Sequence, residues 1–538
     1  MRYLNSKIIL FSLFIFFFLL SIYVYKDFGI SIDEKFNREY GIINFKYILN
    51  YFGTFHTNLF DFSDVINLHN YPDKFYGAFL EIINFAIVEI LLEKRDLDQI
   101  FFYRHILNHF LFLFSLVFFF NTLKTIFKEK KYAYLGVLIL YSTPKIFAES
   151  FYNGKDLAFL SIFLIAFHFA VKCLKKIKIK NILLFCFFSA VAINLRITAI
   201  YLPFLLILFL YLDDKINFYK SLMILLTCFS IFFIITPFLW TNPINNFLEM
   251  FLNTINFKRM ENFNIFYLGS NIEAKFLPDS YLFISFASTT PTIILILGSV
   301  AIIYLAKRII FRIIKIEKLI YDGKIWRGIK EKYLVFTFSI IFVPVFLYYV
   351  LDSIIYNGWR HFYFLYPFYV ICTIFSINII YSKLIKTNFK SLILILISLL
   401  LFENFFNLIR LHPNQYAFYN FFYEKNANKL FDVDYWGVGN TDTLRKILEI
   451  EKEKTIINVA NSSFTDLQLS GKILNIDQNK RFKFIGQNYS NADYIFNNFI
   501  YEINNHYNNK YKIPENFTKI YELKAGNIVI NELYKKIQ

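Results

Sequence analysis

Cysteine is scarce in this chain. Four occur in 538 residues, Cys173, Cys186, Cys228 and Cys372, each within or at the end of an apolar run, and no Cys-x-x-Cys spacing is present. A disulfide framework and a thiolate metal site are therefore excluded, and thiol chemistry with them. Acidic residues are also in deficit, 40 against 57 Lys and Arg, for a net charge of +17. An excess of this size can mark a nucleic-acid partner, but most of these lysines and arginines sit in short loops between apolar runs, where their role is to set topology. Nucleic acid is not a partner on this reading. The sequence shows no internal repeat and no low-complexity tail.

Apolar residues are abundant: 57% of the chain is hydrophobic, 21% is aromatic, and 71 residues are phenylalanine. That share exceeds what a soluble domain carries. Runs of ~20 apolar residues, each able to cross ~30 Å of hydrocarbon, account for the excess. Eleven spans are predicted, at 8–25, 101–122, 132–148, 157–172, 181–195, 198–212, 219–238, 281–304, 333–351, 361–382 and 389–408. The first follows a short basic start, MRYLNSK, but is longer than a signal-peptide core and has no small-residue cleavage site, so it reads as a retained anchor.

The loops KTIFKEKK (124–131), KCLKKIKIK (172–180) and Lys307 to Lys332 are basic and belong in the cytoplasm with the N-terminus. Segments 26–100, 149–156, 239–280, 352–360 and everything after 408 then lie outside, and an odd number of spans carries the C-terminus across. The apolar stretch GAFLEIINFAIVEILL (77–92) would invert every later assignment if it crossed. It is expected to lie on the outer face with its apolar residues towards lipid. After 408 the composition turns to Asn, Lys, Glu and Tyr. TIINVANSS, KILNIDQ, RFKFIGQN, ADYIFNNFI and NIVINELY read as strands and TDTLRKILEIEKE (441–453) as a helix, giving a small α/β domain outside the membrane.

The polar residues that are not loop decoration fall on the outer side. Asp33 and Glu34 are adjacent, just beyond the first span; neighbouring carboxylates near hydrocarbon suit a base or a metal ligand, and the alternative is a solvated loop. AESFYNGKDLAFL is a tight outer loop holding Glu149, Lys155 and Asp156, and Asp156 either shares a cation with the first loop or caps the next helix. In YNGWRHFYFLYP (356–367), Arg360 and His361 offer donors for phosphate oxygens, or act as an interfacial anchor beside Trp359 and Tyr363. Arg196, within INLRITAIYLP, caps an external turn or reaches into a polar cavity. His105 and His109 share a helix face without a third ligand, and hydrogen bonding is their expected role.

Several of these stretches together resemble a known family. The carriers are ISIDEKFNREYG, FYNGKDLAF, PFLWTNP (237–243), SYLFISFASTTP (280–291), YNGWRHFYFLYP, HPNQYAFYN (412–420) and FDVDYWG (431–437). They resemble the GT-C class of membrane glycosyltransferases, specifically bacterial members of the protein mannosyltransferase and ArnT-like superfamily, of glycosyltransferase family 39 type. The resemblance implies a transmembrane catalytic domain over 1–408, whose first outer loop (26–100) carries juxtamembrane helices, and a periplasmic domain over 409–538. It implies a polyprenyl-phosphate sugar donor and transfer of one sugar, with inversion, to a lipid, glycan or protein at the outer face of a bacterial cytoplasmic membrane. Asp33 would be the general base, and Glu34 and Asp156 would position the acceptor or complete a divalent metal site. Arg360, His361, Lys155 and Arg196 would hold the donor phosphate. Asp33 and Asp156 would hold a divalent cation, magnesium or manganese, if one is used. The chain departs from the family pattern at Asn357, where an Asp is common. A lipid-linked sugar transporter or flippase, and an oligosaccharide ligase, are the competing functions.

Overall fold

The computed structural model describes residues 2–53, 60–255, 260–315, 318, 325–501 and 510–537. Residues 54–59, 256–259, 319–324 and 502–509, which belong to two predicted outer loops, the basic segment before Lys332 and the outer domain, lie outside the described residues.

The apolar runs form a helical bundle. Six helices are long and apolar enough to cross a membrane, and four more of the described apolar segments are shorter. In chain order the bundle contains α1 (Arg2–Val24), followed by α2 (Ile32–Tyr51) and α3 (Phe79–Phe85) in the first outer loop, and then α4 (Leu97–Phe127). The chain continues through α5 (Lys130–Ser142), α6 (Pro144–Tyr152), α7 (Asp156–Lys175), α8 (Ile179–Leu195), α9 (Tyr201–Tyr211), α10 (Phe218–Ile234) and α11 (Pro243–Ile255). It ends with α12 (Ser280–Thr289), α13 (Thr292–Ile314), α14 (Ile329–Val350), α15 (Tyr366–Leu384) and α16 (Lys390–Arg410). Helix α7 is buried along nearly its whole length between α4 and α8.

Two predicted spans are broken. The run over 132–148 divides at Thr143, because Pro144 has no N–H to donate and starts a fresh helix. The run over 281–304 divides at Thr290-Pro291 for the same reason. The stretch 77–92 differs from expectation in the direction its apolar residues face. It forms α3 and a single wide turn over Ala86–Leu91, and it buries Phe85 and Val88 in protein. Its two carboxylates fix that orientation, Glu81 pairing with Arg104 and Glu89 with Arg38. A buried charge of this kind is stable only with its partner, so the paired face turns inward.

The two ends of the bundle are chemically distinct. At one end the basic loops meet: Lys131 lies over the Tyr381 ring at 3.6 Å, Lys330 over Phe127 at 5.0 Å, and Lys332 pairs with Asp213. The opposite end, the one expected to face outward, carries α2, the 153–155 turn, the residues before α15 and the C-terminal domain, which keeps the name outer domain from that expectation.

The outer domain is a five-stranded sheet in the order β4-β3-β5-β7-β6, built from β3 (Ile457–Asn461), β4 (Phe482–Phe484), β5 (Tyr494–Asn497), β6 (Phe517–Ala525) and β7 (Ile528–Lys536). Strands β4, β3 and β5 are parallel, while β7 runs antiparallel to β5 and β6. The predicted helix appears at Asn440–Ile450, with Leu444 and Ile447 against the sheet. KILNIDQ is not a strand: the Asn475 side chain accepts from the Gln478 N–H and starts a short helix over Ile476–Lys480. The sequence reading missed β6, an edge strand whose charged residues face out, and the hairpin β1 (Asn264–Tyr267) to β2 (Ser270–Glu273).

Asp434 ties the segment that follows α16 to the sheet. It is fully buried and accepts from Tyr416 Oη at 2.7 Å, from the Gly437 N–H at 3.0 Å and from Asn498 Nδ2 at 3.3 Å. Burial pushes its carboxyl up to about 7, against the pull of those donors. The folded state therefore holds a proton that the unfolded chain releases between the ordinary aspartate range and about 7, and this contribution to stability is lost as pH rises through that window. Asp434→Ala strands buried donors at roughly 1–3 kcal/mol each and is expected to lower Tm in detergent and speed proteolysis near residues 409–440. Asp434→Asn, with the Asn498 amide turned over to accept, is expected to keep Tm near wild type and flatten its pH dependence.

Candidate active site

Four segments converge at the outer end of the bundle. The first is the N-terminus of α2. Ser31 and Glu34 form a reciprocal capping box there, with the Ser31 N–H donating to Glu34 Oε2 at 2.8 Å. The same carboxylate meets His105 Nε2 at 2.9 Å, so Glu34 is turned into the protein. Asp33, one residue earlier, points the other way and is 28% exposed, against 2% for Glu34. The adjacent carboxylates thus have separate tasks. Glu34 fixes the helix start, and Asp33 is presented to solvent.

The second segment is the turn between α6 and α7. Asn153 Oδ1 accepts from the Asp156 N–H at 2.9 Å, and its Nδ2 donates to Glu149 Oε2 at 2.9 Å. Asn153 therefore supplies the cap that the sequence offered to Asp156. The Asp156 carboxylate is free to pair with Arg196, and Glu149 is held in turn by Tyr363 Oη at 2.8 Å. Arg196 is the third contribution. It leaves the C-terminal end of α8 and reaches into the polar cavity.

The fourth segment carries Arg360, 3% exposed. Its Nη1 lies 2.7 Å from Asp33 Oδ2 and 3.9 Å from Asp156 Oδ2, and its Nη2 donates to Tyr356 Oη at 2.6 Å. The rings of Tyr356, Tyr435 and Trp436 lie 4.5, 4.8 and 5.2 Å from the guanidinium carbon. An arginine can be buried this way because carboxylates pair it and π-faces cover what remains. FDVDYWG thus acts as a cap over the site, and the Trp436 carbonyl accepts from the Ile32 N–H at 3.0 Å to bind the outer domain to the start of α2. Gly29 is required at this junction, because a Cβ would collide with the Val438 carbonyl.

Together these segments enclose a cavity of about 530 Å³ lined by Asp33, Lys155, Arg196, Arg360 and His361, with Tyr76 and Tyr435. Of the three predicted catalytic carboxylates, Asp33 alone lines it. All four predicted phosphate ligands do. Burial, reinforced by Arg196, lowers the Lys155 amine to about 7. The Nε of Arg196 and Nδ1 of His361 are buried with no hydrogen-bond partner among the described residues.

A second cavity, about 410 Å³, opens beside the first and shares Tyr76, Arg196 and His361 with it. Its other walls are mostly apolar, from α9, α11, α14 and the turn before α15, including Tyr201, Met250, Leu347 and Phe364.

Among the described residues no three His, Cys, Asp or Glu side chains group as metal ligands. Between Asp33 and Asp156, the pair expected to hold magnesium or manganese, lies the Arg360 guanidinium. The pair does not fit a divalent ion with that cation in place, and no step below is routed through one. His105 and His109 take the structural role expected of them; His109 Nδ1 meets Ser150 Oγ at 2.6 Å. Sequence reading missed the Tyr356 hydroxyl and the three-ring cover on Arg360; the only signal was the density of aromatics around each motif.

Residues 104–240 match the family model described as dolichyl-phosphate-mannose-protein mannosyltransferase. The matched segment contains Glu149, Lys155, Asp156 and Arg196, and the fold brings Asp33 and Arg360 to it from outside. No curated protein matches the chain. The resemblance read from the motifs is borne out over that segment, and the chain is a multi-pass membrane glycosyltransferase using a lipid-phosphate-linked sugar donor.

Proposed function

We propose that the enzyme moves a single sugar, with inversion, from a polyprenyl phosphate to an acceptor hydroxyl at the outer face of a bacterial cytoplasmic membrane, with the N-terminus cytoplasmic and the outer domain periplasmic. The observation that carries this reading is the meeting of a polar and an apolar cavity at Arg196 and His361. A lipid phosphate has the same two-part chemistry. Its chain suits the apolar cavity, which lies between bundle helices, and its phosphate suits the junction, where Arg196 Nε and His361 Nδ1 have donor capacity to spare. Lys155 adds a second positive group beside that of Arg196.

In the reaction the acceptor oxygen forms a bond to the anomeric carbon from the side opposite the phosphate. The bond from that carbon to the phosphate oxygen breaks, and the oxygen keeps the electron pair. The acceptor proton passes to the Asp33 carboxylate, and the new phosphate charge is offset by Arg196, His361 and Lys155. Arg360 holds Asp33 in place and supplies the positive charge between the two carboxylates.

Asp33→Asn keeps the contact to Arg360 but cannot take the proton. It is expected to cut kcat by about 10²–10⁴ while binding of the lipid donor is retained; wild-type kcat in a correctly inserted variant would remove Asp33 from the base role. Lys155 carries its charge below about 7 and loses it above. The donor kcat/KM is therefore expected to fall as pH rises through that value, and Lys155→Arg, permanently charged, is expected to abolish that limb of the profile.

A further inference from the structure

The outer domain's sheet turns the carboxyl ends of two parallel strands towards the catalytic cavity. After β3 the chain places β4 on one side and then crosses to place β5 on the other, all three parallel. In sheets of this order ligands bind at the carboxyl ends of the strands, where the connections diverge between the first strand and the third. Those ends are the loop 462–466 after β3 and the loop 498–500 after β5. Phe464, Thr465, Asp466 and Ile500 from these two loops line the same cavity as Asp33.

A third cavity, about 360 Å³, continues outward from this point. It shares Phe464, Thr465 and Asp466 with the catalytic cavity and adds Gln468 and Gln487. Phe464 stands where the two cavities meet and is 46% exposed, although its backbone is anchored by an N–H to Ile500 carbonyl bond of 2.7 Å. Packing in the core does not explain a large ring exposed beside polar side chains. Gln468 and Gln487 are exposed beside it. A ring face that can cover the C–H face of a pyranose, together with amides and a carboxylate that can take hydroxyls, is chemistry suited to carbohydrate. A lipid would require an apolar groove, and this one carries the Gln468 and Gln487 amides and the Asp466 carboxylate.

We infer that the acceptor is a carbohydrate, bound by the outer domain with Phe464 stacked on a sugar whose hydroxyl reaches Asp33. This rests on the transferase reading above and adds the acceptor class to it. The test is saturation-transfer NMR on the full-length protein in detergent. The probes are maltotriose, mannotriose, chitotriose, a threonine-containing peptide and, separately, farnesyl phosphate. At least one trisaccharide is expected to bind, with affinity roughly tenfold weaker in Phe464→Ala and reduced in Gln487→Ala, while farnesyl phosphate binding is unchanged by either substitution. Both side chains are exposed enough for the fold to survive their loss. The inference is overturned if no trisaccharide binds, if saccharide binding ignores both substitutions, or if the peptide alone binds in a Phe464-dependent way. Failure of farnesyl phosphate to bind, with saccharide binding intact, would count against the donor reading alone.

Discussion

The site depends on how one buried guanidinium is neutralised. Arg360 lies between Asp33 and Asp156 under three aromatic rings, and Asp156 also pairs with Arg196. Two arginines thus meet two carboxylates. Such a cluster is stable only when every member is present, because any single removal leaves a buried charge unpaired. The partners come from the first outer loop, the second outer loop, the end of α8 and the approach to α15, and two of the covering rings come from the outer domain. No local segment forms this site by itself. It exists only in the complete fold.

Neutrality of that cluster has a consequence for the groups around it. With Arg360 and Arg196 balanced, Lys155 sits close to Arg196 in a buried position with too little nearby negative charge, and its amine falls to about 7. An arriving phosphate brings the charge that is missing. On the proposed reading, binding that anion raises the Lys155 pKa, so uptake of the donor and of a proton are linked. The resting site thereby avoids carrying an uncompensated charge beside hydrocarbon and still offers strong binding to a phosphate.

Much of this was legible in the sequence, and the exceptions have physical reasons. Long apolar runs read as helices because burial in hydrocarbon leaves few alternatives, and alternate basic loops correctly gathered at one end. The breaks at Pro144 and Pro291 went unread because hydropathy averages over a single missing N–H. The stretch 77–92 was placed by its apolar residues, while its orientation is decided by Glu81 and Glu89, whose partners Arg104 and Arg38 are identifiable only in three dimensions. Adjacent Asp33 and Glu34 looked like one acidic pair, and only the capping geometry at Ser31 separates them. Arg360 looked like a free phosphate ligand, and its partner is 327 residues away in the chain.

Inverting transfer also requires that nucleophile and leaving group occupy opposite sides of one carbon. On the proposed reading the fold supplies this by assigning the two sides to different parts of the molecule. The leaving phosphate belongs to the bundle, at the junction of Arg196 and His361 with the apolar cavity. The nucleophile belongs to the face where Asp33 meets the strand ends of the outer domain. The donor can then reach the site through lipid and the acceptor through water without either crossing the other's path. The bond from the Trp436 carbonyl to the Ile32 N–H fixes the spacing between those two faces, because it ties the outer domain to the residue next to Asp33. On that reading the outer domain acts on the reaction by holding that distance, since a small displacement of the acceptor from the line of attack costs more rate than the loss of a single contact.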